Sequence, residues 1–320
     1  MQKMFPFIVL PVIMSCVLHT NDTKQSAIEN SESGSDTNYV WTKVLDSTHW
    51  KKSYNFQMFS IKDTLWTFHP DGNWYSTDGK DWTKSTLPNA IYNLAFLDYV
   101  LFKDAVWGFG HFEGNIEHFT LKPEIYKTTD FKKWDTVSKK SNLPRRFFYH
   151  PFVFDDKIWI IGGEDKDRQY ADIWNSADGI QWTKIKDNLP FGKRSGSQIV
   201  SLHNTLFLID FDVWQSTDAL NWHKVTDAII EHNQVSGNAV VYDNKIWLLG
   251  CNRNEQFTSQ VLYSSDGKNW QAQHAPWLPR GGVAATVYKN KIYMTGGKYG
   301  GTPNHPAFRY DNDLWTLEKK

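Results

Sequence analysis

Three arginines occupy one place in a repeating pattern. Arg146, Arg194 and Arg280 each stand 11 residues before a short apolar run, beginning at Lys157, Thr205 and Lys291 respectively. The same count gives Ser53, Leu94 and Gln234 in the other copies of the run. The chain has only seven arginines against 28 lysines, so three at one repeat position ask for a shared role. A guanidinium presents a planar donor fork that suits carboxylate or phosphate. The position therefore reads as an anion site, with Arg145, Tyr149 and His150 as ligand-binding neighbours and His111, Glu231, His232 and Tyr310 as further contributors. The alternative is that the arginine holds carbonyls of neighbouring loops, and the spacing leaves both roles open.

Five aspartates repeat in the same way, within Ser76-Thr-Asp-Gly-Lys-Asp-Trp82, Thr128-Thr-Asp-Phe-Lys-Lys-Trp134, Ser176-Ala-Asp-Gly-Ile-Gln-Trp182, Ser216-Thr-Asp-Ala-Leu-Asn-Trp222 and Ser264-Ser-Asp-Gly-Lys-Asn-Trp270. Repeated acids invite assignment as catalytic groups or calcium ligands. A short Asp side chain accepts backbone hydrogen bonds two residues on, however, which explains one copy per repeat without chemistry. Asp78, Asp130, Asp178, Asp218 and Asp266 are expected to build turns, and no metal or cofactor is expected. The Trp closing each motif recurs after 52, 48, 40 and 48 residues, the spacing of four-stranded propeller blades. These rings are expected to pack between blades.

The elements that must position these residues are clearest from Phe152 to Ile185. Phe152-Val-Phe154 and Lys157-Ile-Trp-Ile-Ile161 read as strands joined by an Asp155-Asp156 turn, with Ile173-Trp174 and Trp182-Thr-Lys-Ile185 as the third and fourth strands. The second strand recurs at Thr64, Ala105, Thr205, Lys245 and Lys291. The last copy stops after its third strand, at Asp313-Leu-Trp315, while Trp41-Thr-Lys-Val44 matches the missing fourth. Closure by the N-terminal strand removes an exposed sheet edge. The expected fold is an all-β, six-bladed propeller over residues 39–320. Because strands alternate in direction, the loops between strands two and three and those leading into strand one open on one face. That face carries the long insertions His111–Glu124, Glu164–Tyr170, Asn252–Gln260 and Lys298–Tyr310, where a repeat fold places its binding surface.

With strand-two runs ending at Gly162-Gly163 and Gly296-Gly297 and downstream aromatics, residues Tyr39 to Leu317 resemble the kelch-type propellers that include the central domain of galactose oxidase. Other copies read Phe109-Gly110, Gly250-Cys251 and Asp210-Phe211 at that place. The Ser-x-Asp-Gly-x-x-Trp turns are similar to sialidase Asp-boxes, one residue shorter. Sialic acid mutarotases resemble the chain as exported six-bladed kelch propellers, and the resemblance implies a substrate carboxylate for Arg146, Arg194 and Arg280. A copper oxidase of the galactose oxidase kind would require a Cys–Tyr crosslink, for which Cys251 alone is available. The usual Arg-Ile-Pro start of a sialidase is absent.

The chain's start sets its expected address. Lys3, the apolar run Met4 to Met14 and Ile13-Met14-Ser15-Cys16 resemble a lipoprotein signal, with residues 1–15 removed and Cys16 lipidated. The run is too short to span a bilayer, which takes about 20 apolar residues. Residues 16–38 read as a polar tether. Val17 follows the cysteine, favouring the outer membrane over inner-membrane retention. With 35 basic and 35 acidic residues no net field draws nucleic acid, and the anchor is the only expected membrane contact. No Gly-x-Ser-x-Gly, His-Glu-x-x-His or phosphate loop occurs. The expected function is recognition of a glycan or protein ligand bearing an anionic group, the alternative a sugar-active enzyme of the mutarotase type.

Overall fold

A two-residue link between strands one and two recurs six times, at Lys62-Asp63, Lys103-Asp104, Asp155-Asp156, His203-Asn204, Asp243-Asn244 and Lys289-Asn290, with positive φ at both residues of every pair. Such turns match the right-handed twist of a hairpin, and short polar residues tolerate them best. In the computed structural model, which describes residues 38–85, 97–110, 112–114, 118–230, 235–253, 256–301 and 306–320, each hairpin opens a four-stranded antiparallel blade. Cys16 and residues 16–37 of the expected tether lie outside the described residues, whereas the Asn38 carbonyl accepts the Lys320 N–H at 2.7 Å.

Blade 1 comprises Gln57–Ile61, Thr64–His69, Gly72–Ser76 and Thr83–Lys84, and blade 2 comprises Asp98–Phe102, Ala105–Phe109, Ile125–Thr128 and Asp135–Ser138. Blade 3 runs through His150–Phe154, Lys157–Ile161, Ile173–Ser176 and Thr183–Lys186, and blade 4 through Gln198–Leu202, Thr205–Ile209, Val213–Ser216 and His223–Thr226. Blade 5 contains Val235–Tyr242, Lys245–Arg253, Gln260–Ser264 and Gln271–His274. Blade 6 takes Ala284–Tyr288, Lys291–Thr295 and Leu314–Lys319 from the C-terminus and Tyr39–Leu45 from the N-terminus. In that closure Trp41 lies opposite Leu317 and Lys43 opposite Trp315. The protein is therefore an all-β, six-bladed propeller with its first strands packed side by side around the ring, as the sequence predicts.

The cores lie between blades, and the repeated residues make them. The Trp182 ring meets Phe109 of blade 2 edge-on at 5.5 Å, and Trp134 meets Phe68 of blade 1 at 5.4 Å. The turn before each Trp is pressed onto the second-strand aromatic of the preceding blade. At Gly179, with φ of 75°, a Cβ would stand 2.6 Å from the Trp107 ring, so close approach and backbone both favour glycine. Where the chain ends replace this turn, Tyr39 supplies the ring, 4.9 Å edge-on from Trp247, and its hydroxyl binds Asp243 and receives a hydrogen bond from Lys245 Nζ at 2.7 Å.

The turn aspartates are structural. Asp178 Oδ1 accepts from the backbone N–H groups of Ile180 and Gln181, each at 2.8 Å, and from Ser176 Oγ at 3.0 Å. Asp78, Asp130, Asp218 and Asp266 accept in the same pattern. Backbone hydrogen bonds hold Asp78 below the usual carboxylate range, as expected of a carboxylate that stays ionised while capping amides.

Candidate functional site

On the face where strand two leads to strand three, the six blades differ. Blades 1 and 4 turn tightly, at residues 70–71 and 210–212. Blade 2 carries an extra hairpin, Phe112–Gly114 with Phe119–Leu121, and blade 6 another, Lys298–Tyr299 with Arg309–Tyr310. In blade 5 the second strand extends and pairs with Gln256–Phe257. Among the described residues, the irregular segments expected from the sequence fall on this face, opposite the two-residue turns.

The three repeat arginines lie beneath it. Arg146, Arg194 and Arg280 are 2%, 6% and 2% exposed, and each guanidinium is taken by a carboxylate of its own blade. Arg146 donates to both oxygens of Asp172, at 2.5 and 3.1 Å, and to the Gly162 carbonyl at 2.8 Å. Arg194 donates to Asp212 at 2.8 Å and to the Phe191 carbonyl at 2.8 Å. Arg280 donates to both oxygens of Asp313 and to the Gly296 carbonyl at 3.2 Å. The other side of each carboxylate accepts an indole N–H from the Trp two residues on: Trp174 at 2.9 Å, Trp214 at 2.7 Å and Trp315 at 2.8 Å. Burial would push Asp313 up, but Arg280 holds it below its ordinary value. These contacts correct the expectation that the three arginines present open donor forks to a ligand, because each guanidinium is buried and paired with a carboxylate inside its own blade.

The signal that separates the two roles was in the sequence. Asp172-Ile-Trp174, Asp212-Val-Trp214 and Asp313-Leu-Trp315 occur in the three blades that have the arginine, and blade 1, which lacks it, uses His69 Nδ1 at 2.7 Å from Asp71 instead. An Arg that covaries with an Asp between repeats of one chain is a paired charge.

Of the remaining expected site residues, Tyr149 is buried at 2% exposure, with burial raising its phenol well above the ordinary value, while Arg145 is exposed and His150 half-buried. Arg145, Arg146 and Tyr149 line one small cleft together with Lys122 and Glu124. His150 and Arg194 line another between blades 3 and 4. The six are thus not gathered into one site. At equivalent positions of the innermost strands stand Gln57, Asp98, His150, Gln198, Asn238 and Ala284. Gln198 accepts from the Ala239 N–H at 3.2 Å, which turns its amide nitrogen to His150 Nε2 at 2.9 Å and leaves the imidazole proton on Nδ1. Burial lowers His150 to about 4, so the ring is neutral near pH 7. Asp98 receives the Phe148 and Tyr149 N–H groups, and burial pushes its carboxyl well above the ordinary value. His111, Glu231 and His232 lie outside the described residues. Among the described residues no group of three His, Cys, Asp or Glu is placed to hold a metal ion.

Sequence reasoning passed over the blade 6 hairpin's first residue. Lys298 is half-buried, with its ammonium 4.8 Å from the centre of the Tyr54 ring and 5.3 Å from that of Phe308. Tyr310, expected as a contributor, stacks between them, 5.7 Å from Tyr54 and 6.0 Å from Phe308. The four side chains are contributed by the loop entering blade 1 and the hairpin of blade 6, so blade closure brings them together.

No family model matches the chain, and no curated protein matches it. Among solved structures, one described as "Structure of YjhT" is similar over 86% of this chain and 100% of its own, with a TM-score of 0.67 and 13% identity. At that identity the likeness shows the fold alone. With 526 solved chains matching, the architecture is too widely shared to select a function.

Proposed function

We propose that the protein is an exported, lipid-anchored recognition module that binds a glycan or protein ligand bearing an anionic group on its long-loop face. The observation that carries the reading is the asymmetry of the two faces. One is built from six two-residue turns and five Asp-centred turns of a single pattern, while among the described residues the insertions fall on the other. Repeat folds vary where they bind. Of the side chains expected to meet a ligand, Arg145 and His150 keep surface on this face, together with Tyr310 and Lys298.

A glycan-array screen of the chain from Tyr39 onward, which contains every strand of the six blades, tests the reading. Selective retention of acidic glycans supports it, and retention of none removes the glycan arm. The second reading, a mutarotase-type enzyme, is favoured by one observation, the neutral His150 beside the burial-raised Asp98 carboxyl on neighbouring inner strands. Accelerated anomer exchange of a bound acidic sugar, followed by NMR and lost in His150→Gln, distinguishes it. Export and anchoring rest on the Lys3 to Cys16 segment, and Cys16→Ser is expected to move the protein from the membrane to a soluble fraction. Unchanged membrane recovery contradicts the anchor.

A further inference from the structure

We propose that Lys298, Tyr54, Phe308 and Tyr310 form the subsite that seats an acidic sugar, with the pyranose against the aromatic rings and its carboxylate on the Lys298 ammonium. This deepens the reading of the long-loop face and rests on it.

The backbone that carries Lys298 is anchored on both sides. Lys298 N–H donates to the Gly281 carbonyl at 2.8 Å, and Gly281 N–H donates back to Lys298 at 2.9 Å, so the hairpin is clamped to the loop entering its own blade. On the blade 1 side, Asn55 N–H donates to the Gly282 carbonyl at 2.9 Å, which holds Tyr54 against the same loop. The rings of Tyr54, Tyr310 and Phe308 then form a near-parallel row, with interplanar angles of 28° and 17°. All four side chains remain partly open to solvent.

What the arrangement lacks is a counter-charge. Among the described residues no carboxylate lies within ion-pair distance of the Lys298 ammonium. The nearest acid in sequence, Asp311, is shared by Arg280 Nε at 3.5 Å and Arg309 Nε at 3.3 Å. Arg309 also donates to the Pro279 carbonyl at 2.8 Å. The aromatic faces attract the cation without satisfying its three donors. Burial accordingly lowers Lys298 to about 8. A sugar with a carboxylate meets both halves of this surface: its C–H face lies on rings, and its anion completes the ammonium. An acidic peptide would use the ammonium but not the row of rings.

The groups facing Lys298 make its titration legible. Tyr54 is pushed up to about 12 by burial and by Tyr310, which is itself raised by burial, so both phenols stay neutral near pH 8. Arg309 and Asp311 face each other as an ion pair at 3.3 Å. Among the described residues here, Lys298 is the group that changes charge around pH 8, and it is cationic below that value. An anion held by it binds tightest on the acid side, and its affinity falls as pH rises through about 8.

The test uses the full-length chain and calorimetric titration with the methyl glycosides of glucuronate, galacturonate and N-acetylneuraminate, their neutral counterparts methyl glucoside and methyl galactoside, and tetraglutamate. At least one acidic glycoside is expected to bind, with each neutral sugar about tenfold or more weaker. Lys298→Met is expected to weaken the acidic sugar by about ten- to a hundredfold, and Lys298→Arg to retain more than Lys298→Met does. Tyr310→Ala is expected to weaken acidic and neutral sugars alike. Unchanged melting of Lys298→Met shows that the loss is not unfolding. The proposal is overturned if no acidic glycoside binds, if tetraglutamate binds tighter than every sugar, or if Lys298→Met leaves affinity and its pH dependence intact. Retention of acidic glycans on the array by the Lys298→Met protein would sink this subsite while leaving the recognition reading in place.

Discussion

At the residue scale, an arginine earns its place by what fills its fork. Arg194 shares a 2.8 Å hydrogen bond with Asp212, itself 3% exposed, and that carboxylate has a Trp214 indole on its other side. Removing the cation leaves a buried carboxylate with one neutral donor, a loss of about 3–5 kcal/mol when one partner of a buried pair is deleted. Arg194→Met is therefore expected to lower the urea midpoint sharply while leaving ligand affinity of the folded fraction within about twofold. Unchanged stability with lost binding would restore the ligand role. The arginine spacing was legible in the sequence, but its role was not, because an anion-binding fork and a buried ion pair require the same residue. The Asp two positions before each third-strand Trp resolves the ambiguity once the strands are placed in space. Lys298 escaped notice for the opposite reason: it belongs to no repeat, and only closure brings Tyr54 beside it.

At the element scale, the most exposed commitment is the strand Tyr39–Leu45, which joins blade 6 from the other end of the chain, with Trp41 opposite Leu317. Trp41 is half-buried and meets Trp277 edge-on at 4.4 Å, and Lys43 lies 5.1 Å above the Trp315 ring. A chain beginning at Ser47 would bare the edge of Leu314–Lys319, leave Trp247 without the Tyr39 ring and loosen the junction that carries Tyr54. It is expected to unfold at a clearly lower denaturant midpoint, and Trp41→Ala alone to cost about 2–3 kcal/mol, less than a fully buried Trp. Equal midpoints for the shortened and full chains would refute closure. The strands were readable because alternating aromatic and β-branched residues, bounded by Asp and Gly turns, admit few other structures. The hairpins Phe112–Gly114 with Phe119–Leu121 and Lys298–Tyr299 with Arg309–Tyr310 were seen only as long insertions, since two- or three-residue strands carry no period to read.

At the scale of the whole molecule, a ring of blades separates the residues that hold it together from the long-loop face on which we place recognition. The recurring chemistry of the repeat, turn Asp against backbone amides and Trp against the preceding blade, lies between and beneath the blades, and the other face carries the irregular loops. Hydrogen–deuterium exchange of the full-length chain, with and without its tightest array glycan, tests that division most directly. The account predicts slowed exchange in the loops between strands two and three and those leading into strand one, strongest at residues 53–56, 281–282 and 298–310, with no change at residues 62–63, 155–156 or 243–244 on the other face. Protection centred on those two-residue turns, with the long-loop face unchanged, would contradict it.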